Sequence, residues 1–322
     1  VDVRKLEMSH IAIVGAGLIG RAWAFVFARA GFQVRVWDMN QTVLDNLDAD
    51  IAAMITQTEP FGQAGADPRA TAANIKGVAT LEQALDGAIL VQESGPEVLS
   101  IKRELFARLD AIAGAQTILA SSSSALLASS FAEGLPGASR CLVGHPVNPP
   151  HLVPVVEISP APFTAPEVTQ RARQIYAQAG QVPVMLKREI DGFILNRLQA
   201  VVLAESLRLI EQGYVDVQGL DDTIRHGLGR RWAFMGPLET INLNAPGGAV
   251  DYLGRYGPMM AGLAETSARD EAFTPTAAQA VGAAFSAIST PDTVRARQDW
   301  RDSELAALAQ HLSSRAAQNN QE

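Results

Sequence analysis

The chain has one cysteine, Cys141, so no disulfide can close within it. That thiol stands in an apolar stretch with no base motif around it and reads as buried and inert rather than nucleophilic. A reducing cytoplasm is the compartment it fits most simply. Basic residues are also short. Lys and Arg total 26 against 34 Asp and Glu, a formal net charge of −8. Nucleic acid and anionic membrane are therefore not expected partners, since both need a surplus of Lys and Arg. A small anionic substrate stays open, because one local arginine overrides net charge. No apolar run reaches the roughly 18 residues of a membrane helix. The opening VDVRKLEMSH has no apolar h-region, so it is not read as a signal peptide. It also has no initiator Met; residues 1–7, ahead of Met8, read as a vector remnant or an extension. No internal repeat is visible, and Ser121–Ser124 is too short a run to be a linker. No metal site is expected.

What is present is globular: 48% hydrophobic and 19% charged residues over 322 positions, enough for two domains with cores of their own. Short Val- and Ile-rich segments predict strands at His10–Val14, Gln33–Trp37, Ile75–Ala79, Ile89–Gln92, Thr117–Ala120, Cys141–Gly144, Val153–Glu157 and Pro183–Leu186. Helical patterns such as Ile101–Ile112 and Val168–Ala179 fill most gaps. Alternating βα units make an α/β fold, a Rossmann-like, mostly parallel sheet with helices on both faces. After Leu186 strand signals stop, and long amphipathic helices begin with GFILNRLQAVVLAESLRLIEQG, ended by Gly213. The expected domains are residues 8–189, binding a dinucleotide, and an all-α domain over 190–322.

The segment IAIVGAGLIG places Gly15, Gly17 and Gly20 in G-x-G-x-x-G spacing between a strand and a helix. The second strand ends at Asp38, 18 residues after Gly20. Gly15 suits the tight turn, Gly17 lets the backbone approach a pyrophosphate, and Gly20 lets helix and strand pack closely. The helix N-terminus offers free N–H groups to phosphates. Asp38 would accept from a ribose 2′-hydroxyl and repel a 2′-phosphate, which favours NAD over NADP. A ligand-free glycine turn and an FAD site are the alternatives.

VGHPVNPPHLVPVVEI then sets a histidine, His145, after one strand and a carboxylate, Glu157, within the next. Taken singly, His145 reads as a satisfied histidine at a strand end. A buried unpaired Glu157 is costly. A hydrogen-bonded pair resolves both, with His145 taking a proton while Glu157 orients the ring and stabilises its cation. Ligands of open α/β sheets sit beyond the strand C-termini. Gly15, Ser124 and His145 all follow predicted strands there, so the pattern points to base-assisted hydride transfer.

Together the glycine loop with Asp38, SSSSAL, GHPVNP, VPVVEI, DGFILNRL and MGPLET resemble the 3-hydroxyacyl-CoA dehydrogenase superfamily. HPVNPP, GFILNRLQ, GLGRRWAFMGPLETINLNA and RQDWRD resemble its lambda-crystallin / L-gulonate 3-dehydrogenase branch, and the likeness runs from about Ser9 over nearly the whole chain. The resemblance implies His145 as catalytic base with Glu157 as its partner. It implies Ser124 bonding the reacting hydroxyl and Asn196 steadying histidine and substrate. Leu18 and Ile19 belong to the phosphate loop, Glu97 and Lys102 to the nicotinamide-ribose side, and Asn148 lies near the nicotinamide. It also implies a homodimer. One departure stands out: the superfamily often has Asn-Thr where this chain has Ser122 and Ser123, which raises the question of how that loop is held. A strand-end serine turn and a buried amide satisfying backbone are the plain structural readings of Ser124 and Asn196.

For the substrate, an acyl-CoA needs basic side chains at its phosphate end. The insertion Leu44–Asn74 holds Asp45, Asp48, Asp50, Glu59 and Asp67 with Arg69 as its one basic residue. The acids can equally be solvating an exposed hairpin. A small 3-hydroxy carboxylate calls for a guanidinium. GRRWAFMGP offers Arg230 and Arg231, and Arg231 fits the branch pattern better; helix capping is the alternative role. L-Carnitine, with Trp232 and Phe234 nearby for its ammonium, and 3-hydroxyacyl-CoA are the other substrates in view. A non-enzymatic, crystallin-like protein would be expected to lose the His–Glu pair or the glycine loop, and both are present.

Overall fold

The computed structural model describes residues 10–267 and 270–319; the expected extension at residues 1–7 lies outside the described residues. Eight strands form one sheet among the described residues: β1 (His10–Val14), β2 (Gln33–Trp37), β3 (Ile75–Gly77), β4 (Ala88–Glu93), β5 (Ile118–Ser121), β6 (Cys141–Pro146), β7 (Val155–Pro160) and β8 (Val182–Met185). Their order is β3-β2-β1-β4-β5-β6-β7-β8. Every neighbouring pair is parallel except β6–β7. All five residues of β1 are buried, as a short Ile- and Val-rich strand covered on both faces requires.

The longer helices are α1 (Leu18–Arg29), α2 (Leu47–Thr58), α3 (Leu99–Ile112), α4 (Pro166–Gln178), α5 (Leu195–Glu211), α6 (Gly248–Glu265), α7 (Pro275–Ala284) and α8 (Pro291–Asn319). On one face of the sheet α1 and α4 share an aromatic core. Trp23 stacks on Phe27 and lies 5.4 Å from the Tyr176 ring. On the other face Phe106 of α3 packs 4.4 Å from Phe131, beside Leu81, Leu85 and Leu109.

The chain divides into two compact units. Among the described residues one comprises 10–194 and 301–319, and the other is Leu195–Trp300. The division falls beyond the expected Glu189, and α8 from Arg301 on groups with the sheet unit, where Ala306 is buried. Leu195–Trp300 holds helices and no strand among the described residues. Its first helix, α5, is followed by Gly213 in the left-handed region at φ 75°, a conformation that suits glycine at a helix end. No described helix is long and apolar enough to cross a membrane.

β1 and β2 fall where expected; β3 ends at Gly77 rather than Ala79, β4, β5 and β8 differ from the expected bounds by one residue at each end, and β6 and β7 need the corrections that bear on the site. β6 continues two residues past the expected Gly144 to Pro146, and β7 runs from Val155 to Pro160 rather than from Val153 to Glu157. His145 therefore lies inside a strand instead of after one. The physical reason is the antiparallel ladder. Pairing from Leu142↔Pro160 through Pro146↔Val156 extends β6 beyond the point where its hydrophobic run ends.

Candidate active site

The glycine loop joins β1 to α1. Gly15 adopts φ 95°, and a Cβ there would lie 2.9 Å from the Ser94 backbone. A Cβ on Gly20 would lie 1.8 Å from the Gly15 carbonyl oxygen, so both glycines are required by the protein's own packing. Gly17 differs: nothing lies within 4 Å of a Cβ built there, and no side chain caps the helix that it opens. The open space and the uncapped first-turn amides fit a phosphate group arriving from outside. Leu18 is exposed and Ile19 packs against the core. Asp38 is held on the loop, its Oδ2 accepting from the Ala16 N–H at 2.7 Å and its Oδ1 from the Asn40 N–H at 2.8 Å. These residues fit NAD.

His145 and Glu157 are direct cross-strand partners in the β6–β7 ladder. His145 Nδ1 and Glu157 Oε2 are 2.8 Å apart, and both residues are almost wholly buried. The other carboxylate oxygen, Oε1, accepts from the Ile194 N–H at 2.8 Å. Phe193, just before it, takes φ 49°, a region uncommon for a bulky residue, and its ring lies 5.1 Å from the imidazole. The turn at Gly192–Phe193 thus supplies both a wall for the ring and a donor for the carboxylate. With Nδ1 bound to Glu157, Nε2 is the nitrogen left to exchange a proton with a ligand.

The serine loop follows β5. Ser124 is exposed. Ser123 donates to Glu97 Oε1 at 2.5 Å, and the same oxygen accepts from the N–H groups of Ala125 at 3.0 Å and Leu126 at 3.1 Å. Burial works to raise the Glu97 carboxyl's pKa. The Ser123 hydroxyl, the two amides and Lys102 outweigh it and hold the group below its ordinary value. Ser122 is held by Gln92 and Ser94, at 2.7 and 2.9 Å. These contacts answer how the loop is secured without Asn-Thr.

Lys102 sits deeper than a ribose contact suggests. It is buried, and its Nζ donates to both oxygens of Glu93, at 2.8 and 3.0 Å, with Ser121 Oγ at 3.3 Å. Asn148 is exposed just past β6 and precedes a cis bond to Pro149. The sheet unit accordingly brings His145 and Glu157 together, and ties Glu97 to the serine loop. Asn196, half-buried at the second position of α5, and Arg231, exposed on the short helix Gly229–Trp232, belong to the other unit. Sequence reasoning missed Gln92, Glu93, Tyr176 and Phe193. The signal for the first two was a polar pair closing the otherwise apolar strand AILVQE. Cys141 is buried as expected, and burial pushes its thiol up to about 12. Among the described residues no group of three or more His, Cys, Asp or Glu could hold a metal ion.

Comparison with known proteins identifies this arrangement. The family model "3-hydroxyacyl-CoA dehydrogenase, NAD binding domain" matches residues 10–190, and the C-terminal domain of the same family matches residues 192–279. A lambda-crystallin homolog of Bos taurus is 44% identical over 307 residues, covering 93% of this chain and 94% of that protein. An L-carnitine dehydrogenase of Streptomyces griseus is 38% identical over 255 residues, covering 79% of this chain and 75% of its own length. Among solved structures, an NAD+-dependent dismutase, 5-formyl-3-hydroxy-2-methylpyridine 4-carboxylic acid 5-dehydrogenase, superposes with a TM-score of 0.82 at 25% identity, covering 95% of this chain and 98% of that one. With its glycine loop, its Asp38 and both domain matches in order, the chain belongs to the 3-hydroxyacyl-CoA dehydrogenase family and is an NAD-dependent dehydrogenase acting on hydroxyl groups.

Proposed function

We propose that the chain oxidises the 3-hydroxyl of a small hydroxy acid to a 3-keto acid, with L-gulonate or a close sugar acid as substrate. The observation that carries the proposed chemistry is the 2.8 Å contact of the buried His145 and Glu157. NAD would be held by Gly15, Gly17, Leu18, Ile19, Gly20 and Asp38, with Glu97 and Asn148 toward the nicotinamide side and the buried Lys102 behind them, 4.0 Å from Glu97, and would supply the two-electron oxidation when bound. His145 Nε2 takes the hydroxyl proton. Glu157 keeps the proton on Nδ1 and stabilises the ring once it is positive. Ser124 bonds the reacting oxygen, Asn196 steadies the imidazole, and Arg231 grips the carboxylate in two places. An imidazole must be neutral to accept a proton, so oxidation rises with pH and reduction falls.

A free acid suits the insertion after β2 better than an acyl-CoA does. Arg69 is its one basic residue, and two of its acids have structural work: Asp50 pairs with Arg21, and Asp67 caps a helix through the Arg69 N–H. L-Carnitine is the second reading, favoured by the L-carnitine dehydrogenase relative and by the exposed rings of Trp232 and Phe234. We further place the chain in the cytoplasm, as a homodimer joined through the helical unit. Mixing the protein with NAD and, separately, L-gulonate, L-carnitine and 3-hydroxybutyryl-CoA, and following NADH absorbance, tests the reading. Turnover is expected with L-gulonate first. Turnover with the CoA ester alone would overturn the free-acid substrate.

A further inference from the structure

Behind the strand ends lies a buried polar group of side chains that the proposed chemistry does not use. Gln92, near the end of β4, is wholly buried. Its Nε2 donates to the Gly144 carbonyl at 3.2 Å and to Ser122 Oγ at 2.7 Å, and its Oε1 accepts from the Tyr176 hydroxyl. Ser122 Oγ in turn lies 2.9 Å from Ser94 Oγ. The Ser94 N–H donates to the Val14 carbonyl at 2.8 Å, next to Gly15. One chain of hydrogen bonds thus touches three segments. It reaches the residue before His145, the residue two before Ser124, and the last residue of the strand that feeds the glycine loop.

The sheet geometry allows this reach because the intervening positions are small. Gln92 is in register with Ala120 on β5, and Ala120 with Leu142 on β6. Gly144 lies two residues beyond Leu142 and so on the same face. A Cβ at Gly144 would sit 2.2 Å from the Tyr176 hydroxyl oxygen. A buried amide with no partner is costly, so the group fixes its members only as a complete set. Burial raises the Tyr176 phenol, which stays a donor to Gln92 at every working pH.

We propose that Gln92 is the positioning residue of the active site: its carboxamide, oriented by Tyr176, sets the base strand at Gly144–His145 against the serine loop at Ser122–Ser124. The inference rests on the proposed roles of His145 and Ser124. A reacting hydroxyl must meet the imidazole and the serine together, and small misplacement of such groups costs far more rate than binding. The glycine loop is held by the Ser94 backbone, so losing the carboxamide leaves it in place.

The test is a double-mutant cycle read in kcat, with NAD affinity measured by fluorescence titration. Gln92→Met keeps length and removes every hydrogen bond. It is expected to lower kcat by about tenfold to a hundredfold in the wild-type background, with NAD affinity unchanged within about twofold. In a Ser124→Ala background the same substitution should cost less than about threefold, because the group it positions is gone. Tyr176→Phe and Ser122→Ala, which each remove one hydroxyl, should give smaller losses with the same dependence on Ser124, and they stand in if Gln92→Met does not fold. A folded Gln92→Met with wild-type kcat overturns the inference. So does an equal loss in both backgrounds, which is the mark of general loosening. If Ser124→Ala and His145→Gln themselves keep wild-type turnover, the proposed chemistry fails first and the role of Gln92 falls with it.

Discussion

His145 and Glu157 form a unit because each removes the other's cost of burial: the carboxylate gains a donor, and the ring gains a fixed tautomer. His145→Gln should therefore lower turnover by roughly 10²–10⁴-fold, the usual span for a positioned acid–base group, while NAD affinity by titration stays near wild type. Glu157→Gln should fall less far, since an amide still orients the ring but cannot stabilise its charge. His151 is the contrasting case. It is buried with neither ring nitrogen hydrogen-bonded among the described residues. Burial first, and then Arg29 and Arg301, hold its pKa down to about 4. Above the ordinary histidine value both folded and unfolded chains carry it neutral. As pH falls, the unfolded chain takes the proton and the folded one does not, so stability is lost on the way down to the folded pKa. Between roughly pH 7 and pH 5 this one group should cost the fold on the order of 2 kcal/mol. His10, also lowered by burial, adds in the same direction. Urea unfolding at both pH values should show a shallower acid loss for His151→Leu than for wild type.

The glycine loop separates two requirements that the spacing alone runs together. Gly20 is needed by the fold, Gly17 by what arrives. Gly20→Ala must displace the Gly15 carbonyl 1.8 Å from its new Cβ, and should lose roughly 1–3 kcal/mol of stability as well as NAD binding. Gly17→Ala meets nothing within 4 Å. It should keep stability within about 0.5 kcal/mol yet weaken NAD binding by about tenfold or more, which thermal unfolding and titration separate. Much of this was legible in the sequence. Hydrophobic runs mark β1 and β2 to the residue, and the glycine spacing marks the turn between β1 and α1. β6 and β7 were less legible because their ends are set by pairing with each other, and local hydrophobicity does not report pairing. Gln92 and Tyr176 were illegible for a related reason. They lie 84 positions apart, and only the stacking of α4 on the sheet makes a buried amide and a phenol partners. Ser122 and Ser123 read as a departure from the family pattern, and the partners that make the departure workable come from β4 and from Glu97.

The helical unit carries apolar surface that a lone chain would leave in water. Leu198, Val201, Leu238, Val250 and Leu263 are each at least 60% exposed. A groove of about 1100 Å³ runs along the same unit, lined by Leu195, Val202, Trp232, Pro237 and Phe285 among others. Patches of this kind mark interfaces, so the chain at micromolar concentration should scatter light as a dimer. Val201→Glu with Leu198→Glu should shift it toward monomer without weakening NAD binding; a wild-type monomer would refute the proposed assembly. The antiparallel β6–β7 pair has a further consequence for how the molecule can change over generations. His145 and Glu157 are joined by ladder register, and residues 147–154 connect the two strands, with Pro149, Pro150, His151 and Leu152 buried and Asn148 and Pro154 exposed. Lengthening that connection at its exposed positions leaves the ladder register unchanged. Deleting a single residue inside either strand turns His145 or Glu157 to the opposite face of the sheet. Variation in length is thus channelled into the exposed ends of that connection, Asn148 among them, beside the cofactor's reactive end in the proposed site, so the pocket can be reshaped for new hydroxy acids while the proposed proton-handling pair keeps its place.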